Sequence, residues 1–261
     1  MRTHDAGVAL LRPQWPVPAS VQAAFTLRAG GVSLPPYDAL NVGAAGGDPP
    51  ERVVENRRRL AAALALPSEP VWLDQIHGTQ VANLDEPWGE PASGATVPLT
   101  RARADAAVTH RAHRVCAIQV ADCMPVLFAA ADGSALGAAH AGWRGLASGV
   151  LEATVAALAV EPRRLIAWLG PAIGPEHFEV GDEVREAFLA RDAQASLAFA
   201  PNARGRWQCD LYALARQRLG ALGVGTVLGG GWCTYCDETR FFSYRRDGRC
   251  GRMAALLWRE S

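Results

Sequence analysis

A chain of 261 residues, 49% hydrophobic and 20% charged, is long enough to bury a full core, and we read residues 1–261 as one domain. Its 26 basic and 26 acidic side chains cancel, so no uniform field draws it to nucleic acid or to an anionic membrane surface. Every basic side chain is arginine, which removes Schiff-base and P-loop lysine chemistry.

The opening MRTHDAGVALLRPQWPVP holds one short apolar run and is broken by Pro13, Pro16 and Pro18. It suits neither a secretory signal nor a membrane span and predicts a cytoplasmic protein. In that reducing compartment the six cysteines are expected to be free thiols or metal ligands. A strand is predicted at 21–26 and a loop at about 28–50. Asp48-Pro49-Pro50-Glu51 then offers an N-cap, a first-turn proline and an acidic residue for the amphipathic helix RVVENRRRLAAALAL. Strands follow at 70–74 and 79–83, a loop at 84–104, and strands at 115–121, 125–130 and 135–140. The short breaks between the last three predict adjacent antiparallel strands. A helix is expected at 145–159, a strand at 164–169, helices at 181–190 and 210–222 around a loop at 200–208, and strands at 241–245 and 252–258. Strands outnumber helices, which favours an α+β fold with helices outside.

Polar clusters interrupt the hydrophobic strands at three places. Ala121-Asp122-Cys123-Met124-Pro125 lies between two apolar runs, and Ala139-His140-Ala141-Gly142-Trp143-Arg144-Gly145 lies where a strand gives way to a helix. Asp74-Gln75-Ile76-His77-Gly78-Thr79 sits between two further strands. Two imidazoles and a thiolate suit a borderline-soft ion such as zinc or copper, with a fourth position left for water or substrate. Taken singly, a His at a strand end is more often a hydrogen-bonded structural residue, and a buried Cys a small hydrophobe. The spacing of His77, Cys123 and His140 matches no short metal motif.

Longer stretches carry a resemblance: LRPQWPVP, TLRAGGVSLPPYDALNVG, VWLDQIHGTQV, RADAAVTH, VADCMPVLFAA, AAHAGWRGLASGVLEATV, WLGPAIGPEHFEVGDEV and FFSYRRDGRCGRMAALLW. Through them nearly the whole chain resembles the YfiH family, also called the laccase-domain or multicopper polyphenol-oxidase-like family. The resemblance implies metal-binding and catalytic roles for His77, Cys123 and His140 and a layered α/β/β/α sandwich of mixed and antiparallel sheets. It also implies a cytoplasmic purine nucleoside phosphorylase acting on adenosine, inosine and methylthioadenosine, with adenosine deaminase activity besides. Its partners would be purine nucleosides and phosphate, with neither nucleic acid nor membrane, and its metal Zn2+ with Cu2+ as the alternative.

The laccase label can be tested on the residues. A four-copper relay needs many histidines beyond a His₂Cys site, and after His77 and His140 only His4, His110, His113 and His177 remain. Oxidase activity would have to use a single copper at the same site. Hydrolysis or phosphorolysis fits a metal with one open position better. Cys233-Thr-Tyr-Cys236 has no preceding His-x-Glu, so its likeness to the zinc-deaminase motif is read as accidental, and its spacing to Cys209 and Cys250 is unlike a structural zinc ribbon. For phosphate, Arg144 at a predicted helix start and Arg28 in LRAGG are candidates, against the reading of each as a structural ion pair. Asn41 is a candidate for a base or ribose edge, or a turn former. The segment Phe241–Asp247 could contact purine or phosphate, or be an alternating strand. A metal-free alternative uses Cys123 as nucleophile with His77 or His140 as base.

Overall fold

The structure is a computed structural model describing residues 2–5 through their backbone and residues 7–86 and 102–261 in full. The short apolar runs become strands. They are β1 (Arg2–Asp5), β2 (Val8–Leu11), β3 (Val21–Thr26), β4 (Val71–Asp74), β5 (Val81–Asn83), β6 (Ala102–Arg103), β7 (Ala106–Thr109) and β8 (Cys116–Val120). There follow β9 (Met124–Ala130), β10 (Leu136–Ala141), β11 (Leu165–Leu169), β12 (Glu179–Val180), β13 (Phe199–Pro201), β14 (Trp207–Cys209), β15 (Thr226–Gly229) and β16 (Met253–Arg259). The helices are α1 (Pro50–Leu64), α2 (Trp143–Ser148), α3 (Val150–Ala157), α4 (Asp182–Leu189), α5 (Leu211–Ala221) and the single turn α6 (Tyr244–Asp247).

Among the described residues the strands make a seven-stranded sheet, β1-β2-β3-β16-β8-β4-β6, a six-stranded sheet, β15-β11-β9-β10-β7-β5, and a small β12-β14-β13 sheet. Strands such as β9 and β10 are buried along their whole length because both faces of each large sheet are covered. Between the sheets, Phe25, Leu73, Ile118 and Leu257 of the first meet Leu127, Ala129, Leu136 and Trp168 of the second. On the outer face of the first sheet, Leu60 and Leu64 of α1 pack with Leu10, Trp72 and Leu256. On the outer face of the second, Leu146, Leu151, Phe188 and Leu214 from α2 to α5 pack with Val126 and Phe128. The layers therefore run α/β/β/α.

Several expectations need correction. β9 and β10 are antiparallel neighbours, with Pro125 opposite His140, but β8 crosses into the other sheet and pairs with β16 and β4. The helix expected over 145–159 is two helices, broken at Gly149, whose φ of 104° lies in the left-handed region. Residues 241–245 form no strand; Phe241 and Phe242 are buried in the core, and Ser243 caps α6 by accepting the Arg246 N–H. The stretch expected as a loop at 200–208 supplies most of the β13–β14 hairpin. Asp48 does not cap α1, since its carboxylate accepts from Ser33 Oγ (2.5 Å) and Asn41 Nδ2 (2.9 Å). Most of the loop expected at 84–104 lies outside the described residues. No helix among those described is long and apolar enough to cross a membrane.

Candidate functional site

His77 lies in the turn after β4, with φ at 61°. That turn is wrapped around one carboxylate. Asp105, fully buried just before β7, accepts the N–H of Ile76 (3.2 Å), His77 (2.9 Å) and Gly78 (2.6 Å). It also takes the Nδ1–H of His140 at 2.9 Å, because a carboxylate can only accept there. The Nε2 of His140 is thereby left free to act as ligand, held by a hydrogen bond of the kind that orients most metal-binding imidazoles.

Cys123 stands at the crossover from β8 to β9, immediately after Asp122, whose φ is 83°. This uncommon backbone is held from several sides. Asp122 accepts from Thr234 Oγ1 (2.6 Å) and from the Arg245 N–H (2.7 Å), and its carbonyl oxygen accepts the Ile173 N–H (3.0 Å). His140 lies near the end of β10. Turn, crossover and strand end thus bring one donor atom each from His77, Cys123 and His140 to within 4.8 Å of one another. The Cys123 Sγ is 3.9 Å from His77 Nε2, and the two imidazole rings meet edge to face at 4.8 Å.

Gly142 makes this convergence possible. A Cβ there would lie 2.8 Å from Cys123 Sγ and 3.2 Å from His77 Cδ2, so any side chain would push the donors apart. Two imidazole nitrogens and a thiolate placed this close could hold a metal ion, with one position left over.

Electrostatics prepare the donors. Burial opposes charge on Cys123, but the His140 and His77 imidazoles outweigh it and bring the thiol down to about 6. Burial opposes charge on His140 too, yet the Cys123 sulfur and the Asp105 carboxylate raise it to about 9. Desolvation works against Asp105 as well, and its hydrogen bonds from His140 and from the Gly78 and His77 amides still hold it below the usual carboxylate range.

The three residues open onto a cavity of about 610 Å³. Arg144, Arg245 and Arg252 line it, and among the described residues none of the three has a carboxylate within ion-pair reach. Their guanidinium groups rest on aromatic faces, Arg144 on Trp143 at 4.4 Å, Arg245 on Phe178 at 5.2 Å and Arg252 on Tyr244 at 5.8 Å, and one nitrogen of Arg245 and one of Arg252 also donate to the carbonyl oxygens of Glu179 (2.9 Å) and Cys250 (3.0 Å).

Arg28 and Asn41 are placed elsewhere. The Arg28 guanidinium pairs with Asp38 at 3.2 Å, donates to the Glu238 carbonyl oxygen at 2.8 Å and stacks on Phe242, outside the cavity lining. Asn41 is buried; its Oδ1 accepts the N–H of Gly43 (2.9 Å) and of Arg252 (2.8 Å), so it shapes the wall from behind. Asp105 and Arg252 are the site residues that the sequence did not single out, whereas Arg245 and Tyr244 of the candidate segment Phe241–Asp247 do line the cavity. The available signal for Asp105 was a charged residue among the apolar positions of RADAAV, which a buried strand start tolerates only when every lone pair is used.

Among the described residues, His110, His113 and His177 are engaged away from the cavity, His113 meeting Ser261 Oγ at 3.3 Å. His110 bonds Asp85 (3.1 Å) and the Leu158 carbonyl oxygen (3.0 Å), and His177 stacks on Tyr235. Cys209 and Cys250 are buried, and His77, Cys123 and His140 form the single potential metal group among the described residues.

Residues 22–260 match the family described as multi-copper polyphenol oxidoreductase laccase. The chain belongs to that family. Among its relatives, the purine nucleoside phosphorylase YfiH of Escherichia coli is 53% identical over 249 residues, 95% of this chain and 98% of that protein. A purine nucleoside phosphorylase of Pseudomonas aeruginosa is 52% identical over 251 residues, 96% of this chain and 98% of that one. Of solved structures, a Neisseria meningitidis protein described as DUF152 superposes with a TM-score of 0.88 at 46% identity, covering 97% of this chain and 99% of its own. A Bacillus licheniformis protein, YfiH, gives 0.88 at 29% identity over 99% of both chains. The copper relay that the family's description suggests has no second cluster here among the described residues.

Proposed function

We propose that this chain is a cytoplasmic, metal-dependent purine nucleoside phosphorylase acting on adenosine, inosine and methylthioadenosine, with adenosine deaminase activity at the same site. The observation that carries the reading is the His77–Cys123–His140 group at the wall of a cavity holding three arginines that have no carboxylate partner among the described residues. The names of the relatives support the purine nucleoside phosphorylase part of this reading. Zinc is the ion the donor set suits best, with copper the alternative, and when bound it supplies Lewis-acid polarisation and water activation.

The chain's own residues do the rest. Arg144 offers a guanidinium fork matched to phosphate oxygens, with the remaining N–H groups of Arg245 and Arg252 beside it. Trp143 and Tyr244, which line the same cavity, give the purine apolar surface beside the stacked guanidiniums. In phosphorolysis a phosphate oxygen bonds to the anomeric carbon as the glycosidic bond breaks. Its electron pair leaves with the base, which takes up a proton. The catalytic contribution is orientation of two reactants in one cavity. In deamination water adds at the purine C6 and ammonia leaves.

Chromatography of purified protein with adenosine, with and without phosphate, tests this. Adenine and ribose phosphate should appear only with phosphate, and Cys123→Ala should lose both bound metal and turnover. Neither adenine nor inosine from fully metallated protein would remove the nucleoside assignment.

A second reading is favoured by the lowered Cys123 thiol beside His140: a metal-free Cys/His hydrolase. It predicts activity that survives chelators and is lost to alkylating reagents, whereas the metal reading predicts sensitivity to both.

A further inference from the structure

Cys233 and Cys236 lie outside the site, yet the fold treats them as a pair. Between them the backbone closes one helical turn, the Asp237 N–H donating to the Cys233 carbonyl oxygen at 3.2 Å. Helical geometry puts Cα atoms three residues apart at about 5 Å, inside the roughly 4.4–6.8 Å that a disulfide spans. The Cys233 sulfur faces its neighbour: it accepts the Cys236 N–H at 3.4 Å and the Gly174 N–H at 3.3 Å. Both thiols are free, Cys236 is exposed and Cys233 half-buried. Partial burial and then the adjoining Cys233 side chain push the Cys236 thiol up to about 11. The pair opens onto a second cavity of about 560 Å³ flanked by Trp232, Asp237 and Arg240.

The same turn is tied to the site by two short routes. Thr234, between the cysteines, donates its hydroxyl to Asp122 and its N–H to the Ala172 carbonyl oxygen (3.0 Å). Gly174, whose N–H holds the Cys233 sulfur, follows Ile173, whose N–H bonds the Asp122 carbonyl oxygen. A Cβ on Gly174 would stand 3.1 Å from the Cys233 Cβ, so the two segments are in direct contact. Asp122 in turn carries Cys123 on a left-handed backbone.

We propose that Cys233 and Cys236 are a redox-active pair that closes to a disulfide by exchange with a low-molecular-weight disulfide, and that closure alters the accessibility of Cys123. One thiol of the pair, as thiolate, attacks one sulfur of the external disulfide and expels the first small thiolate. The other protein sulfur then attacks the first and expels the second. Two protein thiols and one external disulfide become one protein disulfide and two small thiols, the protons passing to the departing thiolates. Closure draws the Cys233 sulfur off the Gly174 N–H and shifts Thr234 against Asp122.

The test equilibrates the isolated protein in glutathione buffers of graded ratio, traps thiols with acid and alkylating reagent, and maps peptides by mass. The expected result is a peptide lacking two hydrogens between Cys233 and Cys236, with a two-electron dependence on potential, absent in Cys236→Ser. After glutathione is removed, the rate of Cys123 alkylation by a neutral haloacetamide should differ by about threefold or more between closed and open protein. Cys236→Ser should show one rate after either treatment. A stable glutathione adduct at Cys236 without closure, or no oxidation of either thiol, overturns the pair. Closure with an unchanged Cys123 rate overturns the coupling. Both readouts are independent of the nucleoside assignment.

Discussion

Asp105 is the residue on which the site's geometry depends most. One buried carboxylate fixes the His77 turn through three amides and leaves Nε2 as the free ring nitrogen of His140. Asp105→Asn keeps the shape but loses the charge-assisted bonds. Metal affinity is expected to fall by about 10- to 100-fold and stability by about 1–3 kcal/mol, read by chelator competition and by denaturant midpoint. Unchanged affinity would mean that His140 does not need this partner. The charges themselves predict a proton count. Between about 6 and about 9 the metal-free site holds Cys123 as thiolate and His140 as imidazolium. A ligating imidazole must be neutral, so binding in that window releases about one proton per ion. Above the His140 value the release vanishes, and below the Cys123 value a second proton joins it. Affinity therefore rises with pH up to the His140 value. Calorimetry in buffers of different ionisation enthalpy measures the count, and zero release in mid-window would deny the charge pair. Gly142→Ala, which sets a methyl against the Cys123 sulfur, should also weaken metal binding while the seven-stranded sheet stays intact, by the same competition assay and by circular dichroism.

Among the elements, the division between α2 and α3 rests on Gly149. An alanine there is forced into left-handed backbone at about 1–2 kcal/mol, so Gly149→Ala should lower the denaturant midpoint and leave metal content unchanged. An unaltered midpoint would mean that the two helices readily fuse into the single helix expected from 145–159. That difference shows what the sequence could tell. α1 was legible because its apolar positions recur at helical spacing, and β3, β9 and β11 because short apolar runs end at Pro, Gly or Asp. The move of β8 and β9 into different sheets was not legible, since strands buried on both faces carry no alternation to report their orientation. Residues 241–245 alternate like a strand, but Ser243 caps a helical turn and the two phenylalanines are used as core plugs. The metal-ligand candidates were visible as polar breaks at strand ends. Asp105 was not, because a lone acid in an apolar run has no partner spacing to give it away.

At the scale of the molecule, His77 hangs from the seven-stranded sheet, His140 lies near the end of a strand of the six-stranded sheet, and Cys123 sits on the segment joining them. An ion held by all three clamps the ends of both sheets together. Metal should therefore stabilise the whole fold, by about 2.7 kcal/mol at a free concentration one hundred times its Kd, and the melting temperature should rise with added ion and fall with chelator. A melting temperature indifferent to metal would show that the ion does not select the native state. The stabilisation should be lost in Cys123→Ala.

The place of β16 matters before the protein is finished. It lies between β3 and β8, antiparallel to both, so without it the seven-stranded sheet is two unjoined halves, β1-β2-β3 and β8-β4-β6. During synthesis these halves wait with bare edges until residues 253–259 clear the ribosome, and a nascent chain spends that interval exposed to wrong pairings.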